Sequence, residues 1–515
     1  MGALCAAALL LTAPAGLAQS AAGAANLPTL GDTEREDLPP IMERKLGEEI
    51  MLDIRRDHDF LDDEVILDYL NNFGTQLVQA RPGARADTGY DFYFFAVRDP
   101  MLNAFALPGG FVAVHSALLL AAQTESELAS VLSHEIGHVV QRHIARQIGQ
   151  QRQDALIPLA SVLLAVLAAR SSPDASMALL SGGQGLTLQR QLNFGRDAER
   201  EADRVGFQIM GAAGYDTSGM VAFFGRLQTA SRNYSDLTPA YLRSHPLTSE
   251  RIADIQARIR ETPYHQRPDS LDFQLMRART RVLQDESAQG RVDAQAVFDS
   301  QLAQPSRAQQ AAAQYGLSYL ALKRSDLVAA RKWLAAARAT IHPAPVAGSF
   351  SAAPQGSDGE AVFVSMDLDI ALAPGQGAAA AGKAVKQAEL AWQRFPLARG
   401  IARQYADAML AAQQLDGAER FLRDQVQLYR QEPKLQQSLA QVYAAQNKLA
   451  LQHMALAESY ALKGNVLSAL DQLAIARKAG DASFYDMAVI DARERELQAR
   501  RREELKDKKK DKDKE

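Results

Sequence analysis

Two histidines four positions apart, with a glutamate directly after the first, specify a chemistry more sharply than anything else in this 515-residue chain: His134, Glu135, Ile136, Gly137, His138. On an α-helix, positions i and i+4 lie one turn apart on the same face, so His134 and His138 can aim imidazole nitrogens at one ion. Glu135 lies about 100° further round the helix, where it misses the ion but reaches a water held there, as general base and then as acid. Zinc in such a place lowers the pKa of bound water towards neutrality and polarises a scissile carbonyl. Amide hydrolysis is the expected reaction. With nine histidines in the chain, a chance HExxH is expected on the order of once in a hundred such sequences.

A catalytic zinc needs a third protein ligand and an open position. Downstream, residues 196–206 (RDAEREADRVG) put Glu199, Ala202, Asp203 and Gly206 on one helical face, with small residues that would let this helix sit closely against the first. Glu201 points nearly the other way, and spacing alone leaves both glutamates open as ligands. His143, five residues past His138, falls about 140° off the ligand face, which suits a structural or supporting role.

These residues need rigid elements to carry them. Thr124 followed by Glu127 has the capping-box spacing, so a helix is expected from there to about Ile148, with the HExxH run inside it. Residues 42–81 read as helical. The aromatic run 90–97 (YDFYFFAV) and the segments 103–107 and 111–115, which flank Pro108, Gly109 and Gly110, predict a small sheet with a hairpin. Residues 171–194 carry Pro173, Gly182, Gly183 and Gly185 without periodicity. They predict a mobile loop, anchored near the cleft at both ends, that gates substrate access. A second helix follows at about 196–210.

The length calls for more than one core. The 57 Lys+Arg against 61 Asp+Glu remove any broad electrostatic case for nucleic-acid binding. Residues 1–18 are apolar and end in small residues, the pattern of a signal peptide, although no Lys or Arg precedes the apolar run. Cys5, the only cysteine, lies inside that segment, so the mature chain is expected to have no disulfide and no thiolate ligand. The next long apolar stretch, 156–169, holds 14 residues, against about 20 needed to span hydrocarbon, and no integral membrane span is expected.

The expected organisation is a signal peptide at 1–18, a metallopeptidase domain at 34–265 and a helical repeat domain at 270–495. A flexible insertion at 341–382 and a disordered charged tail at 500–515 complete it. The repeat period is about 34 residues, the tetratricopeptide length, with the clearest copy at Ala457, Tyr460, Ala469 and Ala476. Stacked helix pairs of this kind present a concave surface for peptides or proteins. The fold class is mainly α: a zincin-type catalytic domain with a small β-sheet, then α-helical repeats.

The HExxH run followed by Glu199, Arg200, Glu201, Ala202, Asp203 resembles the HtpX-like and CAAX-prenyl-protease-like zinc peptidases, whose second motif reads Glu-x-x-Ala-Asp. The resemblance implies one zinc per chain held by His134, His138 and Glu199, with Glu135 catalytic, Asp203 orienting a ligand histidine and Glu201 left to solvent. Asn103, Ala104, Phe105 and Ala106 resemble the family's active-site strand, which would bind extended substrate by strand addition. Ser244, His245, Pro246 resembles its His-Pro motif, in which the histidine fills the fourth zinc position and holds the enzyme off, or else stabilises the oxyanion. Pro246 disfavours a helical conformation at His245, which suits a side chain that reaches into a site.

With a signal peptide and repeats, the chain is most similar to periplasmic members of that family that serve outer-membrane protein assembly. They can carry a disulfide in the repeat region, and this chain lacks the cysteines for one. The implied substrates are unfolded or misassembled proteins, and the implied partner is an outer-membrane assembly machine engaged by the repeats. The competing reading is a chaperone or scaffold that works through the repeats with its protease repressed.

Overall fold

A computed structural model describes residues 38–81, 89–149, 195–233, 240–342 and 359–512 of the chain. The expected signal peptide at 1–18 and the expected gate at 171–194 lie outside these residues.

The sheet follows from alternation. Strands β1 (Tyr93–Val97), β2 (Ala104–Leu107) and β3 (Phe111–His115) stand in the order β1-β3-β2, with β1 parallel and β2 antiparallel to β3. Side chains two apart share a face. Phe94, Ala96, Val112 and Val114 therefore enter one core, while Phe95, Val97, Phe111 and Ala113 enter another with Ile50, Met51 and Ile54. The second core belongs to helix α1 (Pro40–Arg56); helix α2 (Glu64–Gln79) joins the first. The helical stretch expected at 42–81 is thus two helices, broken where Asp63 caps α2 by accepting from the Ile66 amide. The hairpin turn falls where Pro108, Gly109 and Gly110 place it, both glycines having positive φ.

Two short helices lead into and out of the helix that carries the chemistry: α3 (Ser116–Ala121), α4 (Glu125–Val140) and α5 (His143–Gly149). Thr124 caps α4 through the Glu127 amide, and the Glu127 carboxylate accepts from the Gln123 amide, so the start of the helix is fixed as its spacing predicts. Every residue of α4 is buried. The expected continuation to Ile148 is interrupted at Arg142, which adopts φ 52°. Its guanidinium is tied there to the Glu43 carboxylate and the Leu38 carbonyl.

Helix α6 (Arg196–Ala212) lies against α4 in backbone contact. A Cβ on Gly206 would stand 2.9 Å from the His134 amide nitrogen, and one on Gly137 would stand 2.9 Å from the Ala202 carbonyl oxygen. Helices α7 (Ser218–Asn233), α8 (Ala240–Ser244) and α9 (Ser249–Glu261) complete this region.

Twelve further helices follow: α10 (Leu271–Gln284), α11 (Ala288–Leu302), α12 (Arg307–Lys323), α13 (Leu327–Ile341), α14 (Glu360–Ala371), α15 (Ala378–Arg394), α16 (Arg399–Ala411), α17 (Leu415–Leu428), α18 (Pro433–Ala445), α19 (Leu449–Leu462), α20 (Val466–Lys478) and α21 (Phe484–Lys512). Several successive helices are joined by the same turn. Ser325, Gln413 and Asn447 adopt φ 58°, and the next residue's amide reaches back to Ala321, Met409 and Tyr443 respectively, the Schellman pattern. Gln413 and Asn447 are 34 positions apart.

Two expectations fail here. Of residues 341–382, expected to form a flexible insertion, 343–358 lie outside the described residues, but the described part carries α14 with Phe363, Met366, Leu368 and Ile370 buried, because its apolar side chains fill the space beside α13 and α16. The tail expected to be disordered from 500 continues α21 to Lys512, where arginine, glutamate and lysine have good helix propensity.

The helical stack is held to the catalytic region by both core and charge. One buried cluster runs from Leu61 to Ile370, across the boundary expected at 265–270. Arg279 binds both Asp63 carboxylate oxygens at 2.8 Å and donates to Tyr315. Glu64 meets Arg403 at 2.8 Å and Lys434 at 3.0 Å, and Asp68 meets Arg399 at 3.3 Å.

The Gly206 contact predicts that Gly206→Ala lowers stability by about 1–3 kcal/mol, because the added methyl must push α6 off α4. Gly225→Ala, at an exposed position of α7 with nothing within 4 Å of the added carbon, should instead be neutral or stabilising by up to about 1 kcal/mol. Urea unfolding of both variants checks the pair; equal effects would refute the close-contact argument. Burial raises the Asp68 carboxyl to about 6 in spite of Arg399. A carboxyl with a raised folded-state pKa contributes stability below its unfolded value near 4 that is lost as pH climbs through about 6. Asp68→Asn should therefore remove a downward step of up to about 3 kcal/mol in stability between pH 4 and 7. An unchanged pH profile counts against it.

Candidate metal centre

Helices α4 and α6 and the residue that follows α8 bring four side chains to one point. His134 Nε2 lies 3.0 Å from His138 Nε2 and 3.4 Å from His245 Nδ1. Glu199 Oε1 lies 3.0 Å from His245 Nδ1 and 3.4 Å from His138 Nε2, and Glu199 Oε2 lies 3.5 Å from His134 Nε2. Ligand bonds of about 2.0–2.1 Å in a tetrahedron put donor atoms about 3.3 Å apart, so this set has the dimensions of a four-coordinate zinc site. All four residues are buried.

The protons around the cluster are arranged to leave lone pairs pointing inward. Asp203 Oδ1 sits 2.9 Å from His134 Nδ1, which holds a proton on Nδ1 and turns Nε2 towards the centre, where its lone pair would meet a bound cation. His138 is served by a longer chain. His143 Nδ1 lies 2.8 Å from His138 Nδ1, and His143 Nε2 lies 3.2 Å from Glu201 Oε2, which Arg146 also holds at 2.9 Å. Burial takes the His143 imidazole down to about 4 against the pull of Glu201, so it is neutral at neutral pH. A neutral His143 donating to Glu201 must accept from His138 Nδ1, which turns the His138 lone pair inward as well.

Arg251 closes the outer layer. Its guanidinium makes a two-point contact with Asp203, at 2.6 and 2.8 Å, reaches Glu199 at 2.8 Å and donates to the Pro246 carbonyl beside His245. Burial would raise the Glu199 and Asp203 carboxyls. The imidazole of His245 and its neighbours hold Glu199 well below the ordinary range, and Arg251 and His134 lower Asp203. Burial also opposes a charge on His134, but Asp203 and Glu199 outweigh it and lift the imidazole to about 10, so that a second proton at Nε2 stands where a cation would displace it, whereas burial takes His138 well below its ordinary value. Two carboxylates thus call for positive charge at a point where several nitrogen lone pairs converge. A divalent cation answers that demand.

Glu135 stands beside the cluster. Its Oε1 is 3.5 Å from His245 Nε2, and among the described residues neither carboxylate oxygen accepts a hydrogen bond from a side chain. Burial pushes its carboxyl above the ordinary range, partly offset by His245 and His134, which suits a group that must take up a proton. The Ala106 backbone acts on the same carboxyl in the opposite sense, which puts strand β2 next to it. Ala104, Phe105 and Ala106 form β2 itself and Asn103 precedes it; β2 is the outer strand of the sheet and pairs with β3 on one side. Its other edge has no ladder among the described residues.

The structure therefore brings His134, His138, Glu199, Asp203, Glu135 and His245 together, with residues 104–106 alongside. It differs from expectation at Glu201, which is engaged by His143 and Arg146 rather than left to solvent, because the break at Arg142 brings those two side chains of α5 to it. Sequence reasoning missed Arg251 and the His143–Glu201 contact. Arg251 had a signal in its place three residues after the Thr248 cap, in the helix that follows His245. It also missed Tyr241, four residues before His245. That phenol is buried, its ring centroid 4.8 Å from that of His245, and its hydroxyl has no partner among the described residues.

The geometry agrees with comparison to known proteins. Residues 70–259 match the model of peptidase family M48. Over 467 residues the chain is 30% identical to the beta-barrel assembly-enhancing protease of Escherichia coli K12, covering 91% of this chain and 90% of that protein. A putative beta-barrel assembly-enhancing protease of Vibrio cholerae is 38% identical over 253 residues, 49% of this chain and about half (51%) of the relative's length. The mitochondrial metalloendopeptidase OMA1 of Schizosaccharomyces pombe is 34% identical over 160 residues, 31% of this chain and 44% of that one. With a near full-length relative at that identity and a buried donor set of zinc dimensions, this chain belongs to peptidase family M48 and is a zinc metallopeptidase.

Proposed function

We propose that this chain is an exported endopeptidase of the periplasm that serves quality control of outer-membrane protein assembly by cleaving misfolded or stalled proteins. The site reading is carried by one observation: a buried glutamate, Glu135, that accepts no side-chain hydrogen bond among the described residues, beside four buried side chains whose donor atoms converge within 4.8 Å of one another. The names of the full-length relatives support the assembly role. No helix among the described residues is long and apolar enough to cross a membrane, which is compatible with an exported, water-exposed enzyme.

In this reading His134, His138 and Glu199 hold the zinc, and Asp203 and Arg251 orient them. The bound ion supplies Lewis-acid polarisation of the scissile carbonyl and acidifies the attacking water. The substrate lies along the open edge of β2, its backbone paired with residues 103–106. Glu135 takes a proton from the attacking water and returns it to the leaving amine. His245 fills the position that substrate needs, so its imidazole must leave before turnover. The helical hairpins of α10 to α21, read as tetratricopeptide-like repeats, dock an assembly machine or its clients. The occupied fourth position also gives weight to the second reading, a scaffold whose protease is repressed at rest.

Wild type, Glu135→Gln and His245→Ala should each purify with one zinc per chain. Cleavage of casein by Glu135→Gln should fall by about 100-fold or more, the usual contribution of a general base. His245→Ala should cleave several times faster than wild type; slower cleavage means that His245 assists the reaction and is not a stopper. In a null strain with an outer-membrane assembly defect, wild type should rescue and Glu135→Gln should not. Full rescue by Glu135→Gln would transfer the function to the scaffold reading.

A further inference from the structure

Removing the His245 imidazole from the centre uncovers a side chain of α8, the short helix that His245 directly follows. Tyr241 and His245 are four residues apart, and the His245 amide donates to the Tyr241 carbonyl at 2.7 Å, so both project to the same side. The Tyr241 ring lies 4.8 Å from the His245 ring and 6.4 Å from the His134 ring. Its own amide donates to the Leu102 carbonyl at 3.1 Å, which pins it next to the start of β2, where an extended substrate would enter. Among charged groups, the Glu135 carboxylate acts most strongly on its hydroxyl.

That hydroxyl is 1% exposed as part of its residue and has no hydrogen-bond partner among the described residues. A buried hydroxyl without a partner costs about 1–3 kcal/mol, and phenylalanine would fill the same space against Phe223 and His245 without that cost. Packing explains the ring and leaves the oxygen unexplained. A donor held dry and unpaired beside the point where charge develops is the arrangement that stabilises an oxyanion.

We propose that Tyr241 is a catalytic residue, its phenol donating a hydrogen bond to the oxyanion that forms on the scissile carbonyl. This rests on the zinc-peptidase reading of the site. As the water oxygen bonds to the carbonyl carbon, the C=O π pair moves onto the carbonyl oxygen and Glu135 takes the water proton. Tyr241 donates to that oxygen and keeps its own proton. On collapse the pair returns, the C–N bond breaks and Glu135 protonates the departing nitrogen.

Tyr241→Phe keeps the ring and deletes only the hydroxyl. It is made in wild type and in His245→Ala, with Glu135→Gln as the inactive reference. In both backgrounds kcat on an unfolded-protein substrate should fall about 100-fold with KM unchanged. The affinity of a phosphinic peptide, whose tetrahedral oxygens mimic the oxyanion, should fall in similar proportion. Zinc content should stay the same, and the metal-free variant should melt at the parent's temperature or above. Retention of kcat within twofold in both backgrounds, or a lost kcat accompanied by lower melting temperature and lost zinc, overturns the proposal. If neither parent exceeds Glu135→Gln, the peptidase reading itself falls and takes this one with it.

Discussion

Gly137, Ala202 and Gly206 set how closely two helices approach, and the spacing of the donor atoms depends on that approach. With Cβ positions 2.9 Å from facing backbone atoms there is no room for a larger side chain at either glycine. The consequence reaches the chemistry directly, because His134 and His138 sit on one of these helices and Glu199 and Asp203 on the other. A displacement of about 1 Å between α4 and α6 would take Glu199 out of the range in which it and the two imidazoles share one cation.

So close a contact buries charge that would normally stay in water, and the outer residues make that tolerable. Arg251 neutralises Asp203 and part of Glu199, while Asp203 in turn fixes the proton on His134. On the other side Arg146 and Glu201 hold His143, and His143 sets the proton on His138. The imidazoles of His134 and His138 are therefore each oriented by a chain that ends in an arginine. Removing one member of such a network leaves an unpaired buried charge, which is far costlier than the pair itself was worth.

The parts of the fold legible in the sequence are those written in short-range pattern. The Thr124 and Glu127 cap, the alternation of β1 and β3, the Pro108 to Gly110 turn and the single small-residue face of α6 each declare themselves within a few positions. The parts that were not legible depend on contacts between distant residues. Arg142 ends α4 because Glu43, about a hundred positions earlier, holds its guanidinium, and no local signal predicts that break. Glu201 looked like a solvated charge because its partner His143 arrives only after the break. Residues 341–382 looked flexible by composition, yet Phe363 and Met366 find a core supplied by other helices.

The proposed latency has a physical source in the residue that follows α8. His245 contacts His134 and Glu199 across the centre while its other nitrogen faces Glu135, so one imidazole would occupy both the proposed fourth position and the approach to the proposed base. Withdrawing it breaks these contacts, exposes the Glu135 carboxylate to solvent and uncovers the Tyr241 ring. A resting population that is 99% closed needs a gap of only about 2.7 kcal/mol, within reach of two or three polar contacts. A partner need not act on the zinc ligands to open the site. It suffices that binding elsewhere favours the arrangement in which residues 245–246 have moved away from Arg251, because that contact anchors the segment that carries the imidazole, while the Leu102 contact keeps Tyr241 beside β2.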